Sequence, residues 1–529
     1  MTRFKYEDPT SPLQLHDADA ELSPEEVNNI IATTKRVLPI IFLPGIMGSR
    51  LCYRQGDEEY LVWNPRGGRR HEAHKQTPGV KKNTRAIKAL SDPSIPLEVA
   101  YTFTHLSETP QRPEEFVARH PWLVYNSYEL VYPGYQPFLS KMVPLFKRLS
   151  QKGWFLQVFC CGYDWRNSCL ESATRFLSPR VDRLIETHGE RPIIIAHSMG
   201  GLVARSYIHG NGGADKVRAL ILCGSPNFGA TMPYHYLKAG IPLSPTDKGF
   251  EFMMAILAAV MLRKPTPGSI TEFCRGVPGL YELVAREPYL RLPDKASDWI
   301  LYDHEDTDLD RFKPPGPDGR PPPRLGTKLT TATNTYDVLL DSVLGLMDYA
   351  PSPKYSVGSR ARTEHLVSSL KRLDRVIFDT SIEKRPIRDA DGNAALDEDG
   401  HQRFTRQQRV YRGRFHSQTL FAATITKKTH VGDRVTLDKI LHDPVIGNTF
   451  KTTTRSIVMK NSGDTSVPTQ SAIPPLTNLC YPDPTDPGTT YIAWSDLTLP
   501  HGDICGDESF RARLDDLIVN MVPDLSAGD

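Results

Sequence analysis

The most constraining stretch of the chain is Ile193-Ile194-Ile195-Ala196-His197-Ser198-Met199-Gly200-Gly201, an apolar run that stops abruptly at a serine set among small residues. Its β-branched triplet reads as a strand buried on both faces, the kind found in parallel sheets. The next seven residues, Leu202-Val203-Ala204-Arg205-Ser206-Tyr207-Ile208, carry the apolar spacing of a buried helix. A strand, a tight turn and a helix in that order form a nucleophile elbow, which lifts the serine on a strained backbone and tolerates only small neighbours. Gly200 and Gly201 meet that need after Ser198, while Ala196 stands where a glycine is usual before it. The competing structural reading is a parallel strand that merely ends in a Gly-rich turn.

Composition narrows the classes of partner. A chain of 529 residues can hold one large α/β domain with expanded loops, and its 64 basic and 62 acidic residues create no global field that would favour nucleic acid. The N-terminus lacks the basic-then-apolar order of a secretory signal. The longest apolar run, residues 252–262, is half the roughly twenty residues that a membrane-spanning helix needs. The expectation is a protein synthesised in the cytoplasm without signal peptide or transmembrane helix. The eight cysteines form no CxxC pair, so neither a zinc site nor a disulfide framework is read, and no metal or cofactor is expected.

Strand and helix patterns alternate along the chain. Residues 37–43, 155–160 and 217–223 read as buried strands, and residues 137–152 as a helix. This rhythm predicts a mostly parallel, doubly wound α/β sheet. Residues 1–36 read as an N-terminal leader with one helix near residues 24–34, and residues 37–529 as the hydrolase domain. Three stretches break the rhythm and read as insertions: about 54–130, 231–330 as a cap or lid, and 355–450. In the last of these Asp389, Asp391 and Asn393 alternate as in a calcium loop, but Ala394 takes the place of the required glycine and Gly400 that of the bidentate glutamate. A solvated turn is the better reading there.

A serine nucleophile needs a base, an orienting acid and donors for the oxyanion. Asp464 falls in a tight Gly-Asp turn after the apolar Ile457-Val458-Met459, and His501 in a loop ahead of a final helix at residues 508–521. Each alone fits an ordinary turn aspartate or loop histidine, and Asp503 is a rival acid two residues from His501. The order Ser198, Asp464, His501 is nevertheless that of α/β-hydrolases. For the oxyanion, the amide after the nucleophile belongs to Met199, and the turn Pro44-Gly45-Ile46-Met47-Gly48-Ser49 places Ile46 as second donor.

With these segments in hand, the chain resembles the lecithin:cholesterol acyltransferase and phospholipid:diacylglycerol acyltransferase superfamily in a bacterial lipase form. The motifs that carry the resemblance are the residue 44–49 turn, Tyr163-Asp164-Trp165-Arg166, the Ser198 elbow, and Gly463-Asp464-Thr465-Ser466-Val467-Pro468 followed by His501, with Cys223-Gly224-Ser225-Pro226-Asn227-Phe228-Gly229-Ala230 leading toward the lid. The resemblance implies a Ser198 nucleophile, His501 base, Asp464 orienter and oxyanion amides from Ile46 and Met199. It also implies a buried Asp164–Arg166 ion pair supporting the wall of the site. The expected substrate is a lipid or phospholipid ester at a membrane or micelle surface, cleaved by a lipase or phospholipase, with acyl transfer to an alcohol or a non-catalytic lipid- or partner-binding role as alternatives. Phe252, Met253, Ile256 and Leu257 would grip acyl chains from one helical face of the lid, against a plain core-helix reading. The lid disulfide and signal peptide of secreted eukaryotic members are missing here; Cys52 lies near the expected place without a partner in the sequence pattern. This difference points to a bacterial origin and to similarity with type VI secretion lipase effectors, for which an immunity or chaperone protein is the expected partner and a target-cell periplasm the destination.

Overall fold

Runs that are apolar on both faces can be satisfied only as strands covered from both sides. The computed structural model of the chain describes residues 22–56, 58–63, 84–90, 94–99, 135–239, 274–286, 300–303, 357–383, 399–402, 408–443, 447–474, 479–481 and 490–526, with Asp92 and Leu396. Its centre is a six-stranded sheet of β1 (Arg36–Leu43), β2 (Trp154–Cys160), β3 (Ile193–His197), β4 (Ala219–Cys223), β5 (Gln418–Thr424) and β6 (Thr490–Leu497), in the spatial order β6-β5-β4-β3-β1-β2. Every pairing is parallel, with Ile41 opposite Phe159 on one side and Ile194 on the other. Pro39, which cannot donate to a ladder, lies one residue before β3 joins at Ile40.

The period-2 alternation of strand side chains divides the core into two layers. Leu38, Ile40, Phe42, Ile193, Ile195 and Ile221 face one layer, with Leu145, Phe146 and Leu149 of helix Val143–Gln151 and Phe510, Leu514 and Ile518 of helix Glu508–Met521. Ile41, Leu43, Ile194, Ala196, Leu220 and Leu222 face the other, with Val203 and Tyr207 of helix Gly200–Gly210 and Leu370 and Leu373 of helix Val357–Ile377. Each such fully buried aliphatic side chain contributes about 1.5–3 kcal/mol. The fold is thus the doubly wound α/β-hydrolase sheet that the sequence predicts. From β1 the chain goes outward to β2 and then crosses back to β3, so the order reverses between β1 and β3. The crevice beyond the carboxyl ends of those two strands is where such sheets bind ligands.

Several elements depart from the sequence expectation. The single helix over 137–152 is two, Tyr135–Ser140 and Val143–Gln151, because Pro144 has no N–H to continue a ladder and instead starts the second helix. The leader is not wholly loose: helix Pro24–Thr33 is capped by Ser23 and buries Val27 and Ile30 in the core. Residues 355–450 are not simply an insertion, since β5 lies inside them and occupies the sheet between β4 and β6. The sequence Gln418-Thr419-Leu420-Phe421 opens with polar residues, which hid a central strand whose Thr419 is buried by a hydrogen bond to the His416 carbonyl. Residues 54–130 likewise contain strand Glu58–Trp63, paired antiparallel with Leu51–Gln55. Strand Ile300–Asp303, from the second stretch, pairs with Lys427–Asp443 of the third, which pairs in turn with Gly447–Gly463. Asp389, Asp391 and Asn393 lie outside the described residues. Among the described residues no helix is long and apolar enough to cross a membrane.

Candidate active site

Ser198 ends β3 with φ +52°, a left-handed backbone that a non-glycine residue adopts only at a cost of about 1–3 kcal/mol. The surroundings hold it there: its N–H donates to the Cys223 carbonyl of β4 at 3.0 Å, and its carbonyl accepts from Gly201 at 3.0 Å. At Gly201 a Cβ would come within 2.2 Å of Ser225 Oγ, so the helix can start this close to β4 only without a side chain. Ala196 is less constrained. It lies within the extended strand, fully buried, and its methyl is part of the core, which is why the missing first glycine does no harm.

The strand ends bring Asp464 and His501 to Ser198. His501 Nε2 lies 2.8 Å from Ser198 Oγ, and His501 Nδ1 lies 2.8 Å from Asp464 Oδ2. The carboxylate is fixed independently of the histidine, because Oδ1 accepts from the amides of Ser466 at 3.1 Å and Val467 at 2.8 Å. The backbone joins them as well: the His501 N–H donates to the Asp464 carbonyl at 2.7 Å. Asp464 is 1% exposed while Ser198 and His501 keep 6% and 9%, so the carboxylate is sealed and the serine end is open to a small approach. The rival Asp503 is exposed, and it is Asp464 that meets the ring. His501 opens a 3-10 helix, His501–Gly506, rather than sitting in an irregular loop. Asp507 ends that helix, capping Glu508–Met521 and accepting from Thr498 at 3.0 Å.

The turn after β1 lies against the serine. A Cβ on Gly45 would stand 2.9 Å from Ser198 Cβ and 3.4 Å from its Oγ. Gly48 closes the turn by donating to the Gly45 carbonyl at 3.0 Å, with Met47 at φ +63°. Tyr163 Oη donates to the Pro44 carbonyl at 2.8 Å and Trp63 Nε1 to the Met47 carbonyl at 2.9 Å. The amides of Ile46 and Met199, the expected oxyanion donors, donate to no atom of the described residues.

Beside the turn, Asp164 and Arg166 form a fully buried fork, with Nε to Oδ1 at 2.9 Å and Nη2 to Oδ2 at 2.7 Å. The same guanidinium donates to the carbonyls of Ala89, Asp92 and Ile95, fastening that segment to the sheet as a wall. Phe252, Met253, Ile256 and Leu257 lie outside the described residues. The base of the segment that carries them is closed, since Ala230 and Ala285 exchange hydrogen bonds with Leu283 and Ala230 at 2.8 and 2.9 Å. On the return side Gly279 packs so closely that a Cβ there would be 2.9 Å from Met199 Cε.

Sequence reasoning missed two polar residues at this site. Tyr135 Oη is 2.8 Å from both the Gly45 nitrogen and His197 Nδ1, and His197 Nε2 is 2.8 Å from the His501 carbonyl. His197 was in plain sight next to Ser198, but nothing in the order of residues says which way its ring turns. Tyr135 belongs to no motif.

Comparison with known proteins agrees with this architecture. The family model of lecithin:cholesterol acyltransferase matches residues 140–260, which include β2, β3, the elbow and β4. No curated protein matches the chain. Among solved structures, a chain in the crystal structure of the Tle4-Tli4 complex superposes with a TM-score of 0.50 at 16% identity, over 92% of this chain and 98% of that one. A lipase of Bacillus licheniformis, BlEst2 in mature form, is also found, at a TM-score of 0.15 and 14% identity over 24% of this chain and 47% of its own, too small an overlap to bear on the fold. What the chain shares with known proteins is therefore an α/β-hydrolase-type fold and, over residues 140–260, a resemblance to the lecithin:cholesterol acyltransferase family.

Proposed function

We propose that the chain is a serine hydrolase of lipid esters, a lipase or phospholipase. The observation that carries this reading is the unbroken line from Ser198 Oγ through His501 to Asp464, with 2.8 Å at each link, at the switch point of the sheet. A carboxylate at Nδ1 holds the ring in the tautomer whose Nε2 accepts, so the serine hydroxyl donates to it and loses its proton as Oγ attacks an ester carbonyl. The carbonyl oxygen that becomes negative is received by the amides of Ile46 and Met199, at about 3–4 kcal/mol for each donor. His501 then returns the proton to the leaving alcohol, an acyl-serine forms, and water activated by the same histidine releases the acid. These steps use side chains and amides of the chain itself.

Lipid as the ester class rests on the family resemblance and on the apolar composition of residues 252–262. An alcohol or lysolipid in place of water would turn the same intermediate into a transferase, and the family resemblance makes that acceptor the second reading. The solved relative is part of a Tle4-Tli4 complex, which supports a partner protein that docks on this chain and controls it, as for an exported effector with its immunity protein.

A fluorophosphonate reacts only with an activated serine. Incubation of the chain with such a probe, followed by peptide mapping, is expected to modify Ser198 alone and to be abolished in Ser198→Ala. Hydrolysis is then measured on phosphatidylcholine vesicles and on monomeric 4-nitrophenyl butyrate. Absence of labelling overturns the serine mechanism, whereas labelling with turnover of the monomeric ester only overturns the lipid assignment.

A further inference from the structure

The strand-end turn and the catalytic histidine come from opposite ends of the chain, and a buried polar line joins them. Gly45 N–H donates to Tyr135 Oη at 2.8 Å, Tyr135 Oη meets His197 Nδ1 at 2.8 Å, and His197 Nε2 meets the His501 carbonyl oxygen at 2.8 Å. The far end sets the direction. A carbonyl oxygen only accepts, so His197 carries its hydrogen on Nε2, its Nδ1 accepts, and the Tyr135 hydroxyl donates to it while receiving the Gly45 amide.

The line is rigid because its rings are packed. Tyr135 is 3% exposed and His197 4%, and the tyrosine lies edge-on to both Phe42, at 4.9 Å between ring centres, and His197, at 5.4 Å. Gly45 has to be a glycine for the line to exist, since a Cβ there would be 3.0 Å from His197 Nδ1. Burial, reinforced by the His501 ring 4.8 Å away, pushes His197 well below the usual imidazole range. The ring therefore stays neutral and keeps its single donor on the His501 carbonyl when His501 becomes cationic.

We propose that His197 and Tyr135 are positioning residues that fix the oxyanion turn and the His501 main chain at one spacing, so that base and oxyanion donors stay aligned as charge develops. The proposal rests on the serine-hydrolase reading. Neither residue touches the reacting atoms; both act through Gly45 and His501. In the sheet β1, which leads into the turn, and β6, which leads to His501, are separated by β3, β4 and β5, and the Gly45–Tyr135–His197–His501 line spans that separation. A shift of about 1 Å between base and donors costs on the order of 100-fold in rate.

The test compares His197→Leu, which keeps bulk without hydrogen bonds, with His197→Gln, whose side-chain amide can still donate to the His501 carbonyl. Both are assayed for fluorophosphonate labelling and 4-nitrophenyl butyrate hydrolysis, with thermal unfolding followed in parallel. Expected is a fall in kcat of roughly 100-fold for His197→Leu with KM within about twofold, and recovery to within about 10-fold of the parent by His197→Gln. The pH profile of kcat/KM is expected to keep the parent's shape in His197→Gln. His197→Leu labelling at the parent rate overturns the proposal. So does a His197→Gln as slow as the leucine variant, or one that has lost a limb of the pH profile, because His197 would then be carrying a proton. Should His197→Leu fail to fold, Tyr135→Phe reads the same line, with about a 10-fold loss of labelling rate expected and an unchanged rate overturning it. A parent chain that takes no label at Ser198 sinks the serine-hydrolase reading itself, an outcome distinct from labelled parent and equally labelled variants.

Discussion

Two buried polar clusters in this molecule use similar residues to opposite ends. At the carboxyl edge of the sheet Asp464 faces His501; on the flank Asp374 of helix Val357–Ile377 faces Arg286, with Nη2 to Oδ1 at 2.8 Å and Nε to the two carboxylate oxygens at 3.0 and 3.1 Å. Both carboxylates are sealed, at 1% exposure each. The partners differ. An imidazole passes a proton between two states near neutrality, whereas a guanidinium never gives one up. His501 also reaches onward to Ser198, while Arg286 reaches the carbonyls of Val284 and Glu282. A buried carboxylate next to a cationic group is therefore no sign of chemistry by itself. What separates machinery from scaffold is a titratable partner with an opening beyond it, and the Arg286 cluster serves to pin the returning segment 278–286 to helix Val357–Ile377.

The difference is broken most severely at Ser198, the proposed nucleophile. Ser198→Ala is expected to lower kcat by about 10⁶-fold, leaving the thermal unfolding midpoint nearly unchanged, because it removes the reacting atom from a strained position. A stabilised variant that still turns over at the parent rate would transfer the chemistry elsewhere. Asp464→Asn comes next. The amide keeps the shape but not the tautomer, and about 10⁴-fold is expected to be lost from kcat, with KM little changed, in a steady-state assay on 4-nitrophenyl butyrate. If Asp374→Asn lowers kcat equally in folded protein, the division between the two clusters falls.

The legible part of the molecule was the part whose chemistry is local. Ile193 to Gly201 dictates strand, turn and helix within one short stretch, and the structure has each in place, with the strained backbone at Ser198 realised as a positive φ. The chain order of Ser198, Asp464 and His501 was readable because the fold constrains it. The distances were not, since 303 positions separate Ser198 from His501 and only the sheet brings them together. Elements that carry mixed signals were lost. Strand β5 begins with Gln418 and Thr419, whose polarity is satisfied by tertiary hydrogen bonds that have no mark in the sequence. Tyr135 and His197 were invisible as a pair for the same reason: a hydrogen bond between residues 62 apart is a property of packing. The Asp164–Arg166 fork was expected through the family resemblance of residues 163–166, not from the residues alone.

Scaffold and machinery should also part company in stability. Asp374→Ala leaves the Arg286 charge buried without its partner and is expected to cost about 3–5 kcal/mol in urea unfolding. Replacing both, as Arg286→Met with Asp374→Leu, is expected to recover most of that loss, since a buried pair is stable chiefly against being broken. A double variant as unstable as the single one would mean that the pair contributes beyond its own charges.

The smallest effect concerns Glu282, which accepts from the Cys169 amide at 2.6 Å and the Ser369 hydroxyl at 3.0 Å beside Arg286. Burial raises its carboxyl from 4.5 to about 7, against the opposing pull of those hydrogen bonds and of the arginine. Below pH 4.5 the group holds its proton in both the folded and the unfolded chain. Between 4.5 and about 7 the unfolded chain releases the proton first, so ionisation favours unfolding and stability falls as pH rises; above 7 both forms are ionised and the loss is constant. The full span corresponds to about 3 kcal/mol. Glu282→Gln does not titrate, and its amide can accept from Cys169 and donate to Ser369 once that hydroxyl turns. Urea midpoints of parent and variant at pH 4.5, 5.5, 6.5 and 8 are therefore expected to diverge with rising pH in favour of the variant. Parallel curves would place the proton elsewhere and leave the flank cluster without a titrating member. A divergence accompanied by an equal shift in the pH profile of kcat/KM would show that scaffold and machinery are coupled through the segment 278–286, which packs on Met199.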